Sequence, residues 1–201
     1  MKNSENIDIK RIAKALHLSR HPLILPPTLS VHGFDSLARF TNSALIHYSG
    51  NCVLLATCVY FNLLQGKKMV SVKNTPKPFL GLTSDVVEKM IFGQELDFLE
   101  KGMHSLLEVK ERILQEYQLT GRLYYLISTS GYRIPITGGS GHDFNAAVIN
   151  DGTEVLYIDA WKTSQHVTST DMLTHRFNKS AFFDIKVLPL EQIRLKGWTR
   201  Q

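Results

Sequence analysis

The chain carries two cysteines, Cys52 and Cys58, within the stretch SGNCVLLATCVY (49–60), and eight histidines. A cysteine that attacks a carbonyl needs a histidine to take its proton, and that histidine needs a third group to orient it. Cys52 follows Ser49-Gly50-Asn51, and Asn51 is a good N-cap residue. Cys52 would then open a helix, among unpaired N–H groups at the positive end of the helix dipole. Such a location favours a thiolate and offers donors to an oxyanion. Cys58 lies about 120° around the same helix, nearly two turns in, and reads as an inert core thiol. Taken alone, the segment favours a buried helix in which both cysteines only pack.

Among the histidines, His142 stands out by context. His17, His21 and His32 lie in or beside a proline-rich start, His104 on a long helix, and His166 and His175 in polar, turn-like sequence. All six read as surface or packing residues. His47 is close to Cys52 in sequence, but nothing near it could orient it. His142 opens a strand in GGSGHDFNAAVINDGTEVLYIDAWKT (138–163), where Asn150-Asp151-Gly152-Thr153 is a hairpin signal. With Asp151-Gly152 as the turn, Asn150 faces Thr153, and counting back along both strands puts His142 opposite Trp161. Asp159 then shares a face with His142, one diagonal away at about 7–8 Å between Cα atoms, within reach of longer side chains. Asp143 points to the opposite face and Asp151 sits in the turn, so both are weaker orienters. Gly138-Gly139-Ser140-Gly141 has neither the spacing of a nucleophile elbow nor the Lys-Ser/Thr of a phosphate loop. It reads as a flexible turn that lets a substrate backbone approach His142. His142, Asp143 and Asp159 lack metal-ligand spacing, so no metal and no cofactor are expected.

These residues need elements to hold them. Helical spacing is present at 8–18, at 34–46 and at 52–65, the last ending at Gly66. The 52–65 segment is apolar on nearly every face, interrupted by Thr57, Asn62 and Gln65, so it should be buried. Asp85 and Glu88 suggest a capping box ahead of helical spacing over 86–117, broken at Gly93 and Gly102. Residues 19–32 and 67–84 read as loops. Strand patterns occupy 122–128, 142–149, 153–159 and 182–188. The order implies an α+β fold with a largely antiparallel sheet. A length of 201 residues suits one domain, with 1–33 as a candidate N-terminal extension.

Composition narrows the partners. No apolar run of about 18 residues is present, so no membrane span is expected. The start has no block of signal-peptide type. Two cysteines make neither a disulfide framework nor a structural zinc site. The balance of 23 basic against 18 acidic residues gives a net charge of +5. Lys67, Lys68, Lys73 and Lys77 cluster, as do Arg194, Lys196 and Arg200. Each cluster is either a solvated surface or a patch that steers an anionic partner. Zinc-finger, RNA-binding and helix-turn-helix signatures are missing, so no nucleic acid partner is expected.

Gly50-Asn51-Cys52 opening a buried helix, Gly141-His142 opening a strand and Tyr157-Ile158-Asp159 closing the next resemble the papain-like bacterial toxins and secreted effectors, a group of glutamine deamidases and cysteine proteases. The resemblance covers 49–66 and 138–163. It implies a papain-like fold in which the cysteine helix packs on an antiparallel sheet. It also implies Cys52 as nucleophile, His142 as general base and Asp159 as orienter. The expected activity is cysteine-dependent amide hydrolysis on a protein, with glutamine deamidation ahead of proteolysis. The same triad could transfer an acyl group to an amine, and a non-catalytic papain-like binding module is the alternative class. The resemblance further implies synthesis in a bacterial cytoplasm, delivery by a secretion system into the cytosol of a host or competitor cell, a target protein there, and an immunity protein or chaperone as a candidate partner. Two features depart from the family. Trp161 and Lys162 stand where deamidases of this type often have a glutamine, and no glutamine precedes Cys52. The oxyanion donors would then be the Cys52 backbone N–H with Asn51, or else Asn42, as a side-chain member.

Overall fold

The computed structural model describes residues 2–43, 51–73, 82–134, 138–161 and 165–197. In chain order the elements are helix α1 (Lys2–Ala15), strand β1 (Leu16–Ile24), α2 (Val31–Thr41), α3 (Cys52–Gln65), β2 (Lys67–Val72), α4 (Ser84–Phe92), β3 (Asp97–Met103), α5 (Leu106–Thr120), β4 (Tyr124–Ile134), β5 (Gly138–Ile149), β6 (Glu154–Ile158), β7 (Val167–Thr168), α6 (Thr170–Thr174), β8 (Phe183–Val187) and α7 (Leu190–Leu195). A six-stranded sheet runs in the order β3-β8-β4-β5-β6-β7, antiparallel at every pairing. β1 and β2 form a separate two-stranded antiparallel ribbon. The architecture is α+β with antiparallel sheets.

The sheet divides the core. On one face Leu126, Ala147, Leu156 and Ile158 pack with α2, α3 and α4. On the other, Tyr125, Ile127, Phe144, Ala146, Val148 and Tyr157 pack against Leu106, Val109 and Ile113 of α5. The alternation along β5 and β6 is what a period-two strand buried on both faces requires. Ile12 and Ala15 of α1 join the first cluster, so the start of the chain packs into the core.

Helix α3 begins at Cys52 and ends before Gly66, which takes the left-handed conformation (φ 59°) common at helix ends. Leu54, Leu55, Leu63 and Leu64 are all at most 1% exposed, and burying each is worth about 2 kcal/mol. The two buried polar interruptions, Thr57 and Asn62, are satisfied. The Thr57 hydroxyl donates to the Val53 carbonyl at 2.7 Å. The Asn62 amide donates to Val70 O and Thr41 Oγ1, while its oxygen accepts from the Met69 and Val70 N–H groups. Asn62 therefore fastens α3 to β2.

Four segments differ from the sequence expectation. Residues 19–24 are strand, not loop; Pro22 is tolerated because β1 is an edge strand and its register shifts between Leu18 and Leu23. Residues 67–72 are strand, because Asn62 and β1 supply hydrogen-bond partners from both sides. The 86–117 span is not one interrupted helix but α4, β3 and α5. No capping box forms at α4, because Glu88 turns inward to Lys186 and accepts from the Leu96 N–H. Finally, Gly138–Gly141 is the start of β5, paired with β4, rather than a turn.

The β5–β6 register is as expected, with Asn145 opposite Ile158 and Ile149 opposite Glu154. Thr153 N–H donates to Asn150 O at 3.2 Å, and Asp151 (φ 52°, ψ 39°) and Gly152 (φ 84°) occupy the left-handed region. That is the geometry of a type I′ turn. Gly152 is obligatory, since a Cβ there would lie 2.1 Å from the Tyr117 ring.

Candidate active site

The sequence that makes α3 also fixes Cys52. Asn51 is in extended conformation and its side-chain oxygen accepts from the Val53 N–H at 3.1 Å, a cap that halts the helix one residue before the thiol. Cys52 is half-buried at the helix tip, and Cys58 is fully buried in its wall. Burial pushes the Cys58 thiol far above its ordinary range, so Cys58 is locked in the neutral form.

His142, near the start of β5, and Asp159, one residue beyond β6, meet at 2.9 Å between Nε2 and Oδ2. Their side chains are 3% and 4% exposed. The Cys52 side chain lies close enough to His142 to help raise its pKa. Because Nε2 is engaged by Asp159, Nδ1 is the nitrogen left to face the thiol. The structure therefore brings the three expected residues together in the order thiol, imidazole, carboxylate. Burial alone would lower the His142 pKa. The charge and hydrogen bond of Asp159, with the contribution of Cys52, outweigh it and push the pKa up to about 10.

Asp159 is held at several points. Its second oxygen accepts from the Trp161 N–H at 3.1 Å. Its own N–H donates to His166 O at 2.8 Å. The Asn42 amide donates to the neighbouring Ala160 carbonyl at 2.8 Å. Asn42 thus anchors the aspartate segment, and that amide contact is what the sequence-level oxyanion suggestion for Asn42 becomes. The capping bond of Asn51 leaves its Nδ2 as the donor end of that side chain. Among the described residues, the Cys52 N–H has no acceptor.

Three aromatic rings enclose the imidazole. The Tyr132 ring lies 4.1 Å from it at 30°, Trp161 at 5.4 Å and Phe144 at 6.1 Å. They shield the His142–Asp159 bond from water, and such a bond is stronger in the low-dielectric interior than in water. Of these, the hairpin register places Trp161 opposite His142. Tyr132 comes from the irregular part of β4, between Thr129 paired with His142 and Tyr132 paired with Ser140. No sequence signal pointed to it.

The weaker candidates separate clearly. Asp143 is buried on the other face. Desolvation raises its pKa to about 6, against the lowering by His142, Ser128 and Lys186. Asp151 is exposed in the turn. His17, His21, His32, His104 and His175 are exposed, whereas His166 is buried and its Nδ1 pairs with Asp35 at 3.0 Å. His47, Lys77, Lys162 and Arg200 lie outside the described residues. Among the described residues, no cluster of three metal-ligating side chains occurs.

The molecule is thus an α+β protein whose helix-tip cysteine meets a buried histidine–aspartate pair. By sequence, residues 1–188 match the family described as Salmonella plasmid virulence protein SpvD, and the chain belongs to that family. It is 37% identical over 188 residues to virulence protein SpvD of Salmonella dublin and to virulence protein vsdE of Salmonella typhimurium, covering 92% of this chain and 87% of each relative. Two solved structures of variants of the Salmonella effector SpvD superpose with TM-scores of 0.87 and 0.79, at 36% and 31% identity, each covering 94% of this chain and 93% of the other. The relatives are virulence effectors. Among the described residues, no helix is long and apolar enough to cross a membrane.

Proposed function

We propose that the protein is a cysteine hydrolase of papain-like type that cleaves an amide in a protein of the cell into which it is delivered. The observation that carries this reading is the single imidazole that bonds Asp159 through Nε2 and also meets the Cys52 side chain. The remaining features agree with it. α3 packs on an antiparallel sheet, the thiol sits at a capped helix tip, and the relatives are virulence effectors.

His142 takes the Cys52 proton, and Asp159 stabilises the imidazolium. The sulfur attacks the amide carbon, forming a C–S bond while the carbonyl oxygen gains charge. The Cys52 N–H lies at the helix tip as one donor to that oxygen. The C–N bond then breaks as His142 gives its proton to the departing nitrogen. Water attacks the resulting thioester, His142 takes the water's proton, and the C–S bond breaks to release a carboxylic acid and regenerate the thiol. If the amide is a glutamine side chain, ammonia leaves and the product is glutamate. That outcome is the one the family resemblance favours.

The test is mass spectrometry of target-cell proteins incubated with wild-type protein and with Cys52→Ala. Amide-to-acid conversion at glutamine, lost in Cys52→Ala and kept in Cys58→Ala, is expected. Two fragments instead of one modified chain would move the assignment to proteolysis. Equal modification by Cys52→Ala would end the cysteine mechanism.

A further inference from the structure

No residue of β1 is buried. Leu18, Leu23 and Ile24 expose 63%, 65% and 79% of their surface. Such an edge strand offers unpaired backbone N–H and C=O groups to another chain, and large exposed apolar side chains add to the attraction. Among the described residues, β1 has one neighbour, β2, and its other edge is free.

Within β1 and β2 the charged side chains are all basic. Residues 9 to 34 contain Lys10, Arg11, Lys14 and Arg20 and no aspartate or glutamate. β2 contributes Lys67 and Lys68, again without a carboxylate. Cross-strand pairing sets Ile24 opposite Lys67 and Leu23 opposite Lys68, so apolar and cationic side chains lie side by side. Arg20 and Lys67 are exposed. A second copy of the same strand would meet like charges, which are destabilising when directly opposed, and Pro22 removes one donor from the edge. An acidic strand would meet the opposite signs. The lysine cluster noted in the sequence thereby acquires a structural role that the hydrolytic site does not use.

We infer that the free edge of β1 docks an extended acidic segment of a partner protein by strand addition. Main-chain hydrogen bonds supply the pairing. Carboxylates of the segment lie over Arg20 and Lys67, and its apolar side chains lie against Leu18, Leu23 and Ile24. The inference stands independently of the cysteine mechanism, since β1 contributes nothing to Cys52, His142 or Asp159.

The test uses the full chain and a fluorescent decapeptide alternating glutamate and valine, read by anisotropy and by amide hydrogen exchange. Binding that weakens with salt, with slowed exchange in residues 16–24, is expected. The double variant Arg20→Glu/Lys67→Glu should bind at least tenfold more weakly with an unchanged thermal melt. If that variant does not fold, Arg20→Gln/Lys67→Gln should show a smaller loss in the same direction. Binding should be unchanged in Cys52→Ala. Equal binding of a lysine–valine decapeptide, protection outside 16–24, no binding, or salt-independent self-association through β1 would each overturn the inference. Equal binding of a decaglutamate peptide would overturn strand addition by showing charge alone at work.

Discussion

Among the described residues, two buried histidines pair with carboxylates, and the pairs have different company. His142 bonds Asp159 at 2.9 Å, and both side chains are at most 4% exposed. His166 bonds Asp35 at 3.0 Å, but Asp35 is 25% exposed and also receives a hydrogen bond from Arg39 at 2.7 Å. Burial pushes the Asp35 pKa up, but the hydrogen bonds and charges of Arg39 and His166 outweigh it and hold the carboxyl below its ordinary value. The second pair ties α2 to the segment whose His166 carbonyl receives the Asp159 N–H. Of the two described pairs, the first also has the Cys52 thiol as a neighbour of its histidine. On the proposed mechanism, a buried histidine beside a carboxylate is a structural clamp in one place and a proton carrier in the other, and the thiol beside His142 makes the difference.

The sharpest way to break that contrast is to remove each histidine. His142→Ala should lower amide turnover by on the order of a thousandfold, the scale of a lost general acid–base. His166→Ala should lower stability, seen in a denaturant melt, while turnover per folded molecule stays within a few-fold. Equal losses of turnover in both would erase the distinction.

The carboxylates come next. Asp159→Asn should cost turnover by on the order of a hundredfold, because the imidazolium loses its counter-charge. Asp35→Asn should cost stability by about 1 kcal/mol, the net worth of a partly exposed hydrogen bond. The pH profile carries the sign. A histidine whose pKa is raised in the fold stabilises the fold at pH values below its unfolded value of about 6.5, and that contribution is lost as pH rises through about 10. Turnover, which needs the imidazolium to protonate the leaving nitrogen, should likewise decline only towards pH 10. In Asp159→Asn that limb should fall to a lower pH. A wild-type limb near neutrality would contradict the paired geometry.

Smaller effects belong to the surroundings. Tyr132→Ala should admit water to the His142–Asp159 bond, lowering the upper pH limb and turnover by up to about tenfold, with a cavity cost of about 3 kcal/mol. Asp143→Asn should stabilise the protein at pH 8 more than at pH 5. A carboxyl whose pKa rises to about 6 favours the fold when protonated and loses that advantage as pH climbs.

Much of this arrangement was legible in the residues. The helix 52–65, its cap and its Gly66 end follow from local signals, and Asp151-Gly152 fixed the β5–β6 register that carries Asp159 to His142. What the residues did not disclose came from distant contacts. β2 looked like a lysine-rich loop because its partners, Asn62 and β1, lie elsewhere in the chain. Glu88 looked like a cap because its real partner, Lys186, is 98 positions away. Tyr132 owes its place on the imidazole to an irregularity in β4 that no alternation predicts. Local spacing placed the cysteine and the hairpin and singled out His142; the tertiary fold brings that histidine to the thiol.

The central claim is that Cys52, His142 and Asp159 act as one unit. Its most direct test is the pH dependence of Cys52 alkylation by iodoacetamide, followed by mass spectrometry in wild type, His142→Ala and Asp159→Asn. Alkylation of Cys52 is expected to be fastest in the wild type across the pH range, with the buried Cys58 unreacted. In His142→Ala the reactivity should fall to that of an ordinary thiol without a base beside it, with Asp159→Asn in between. Identical profiles for all three proteins would contradict it.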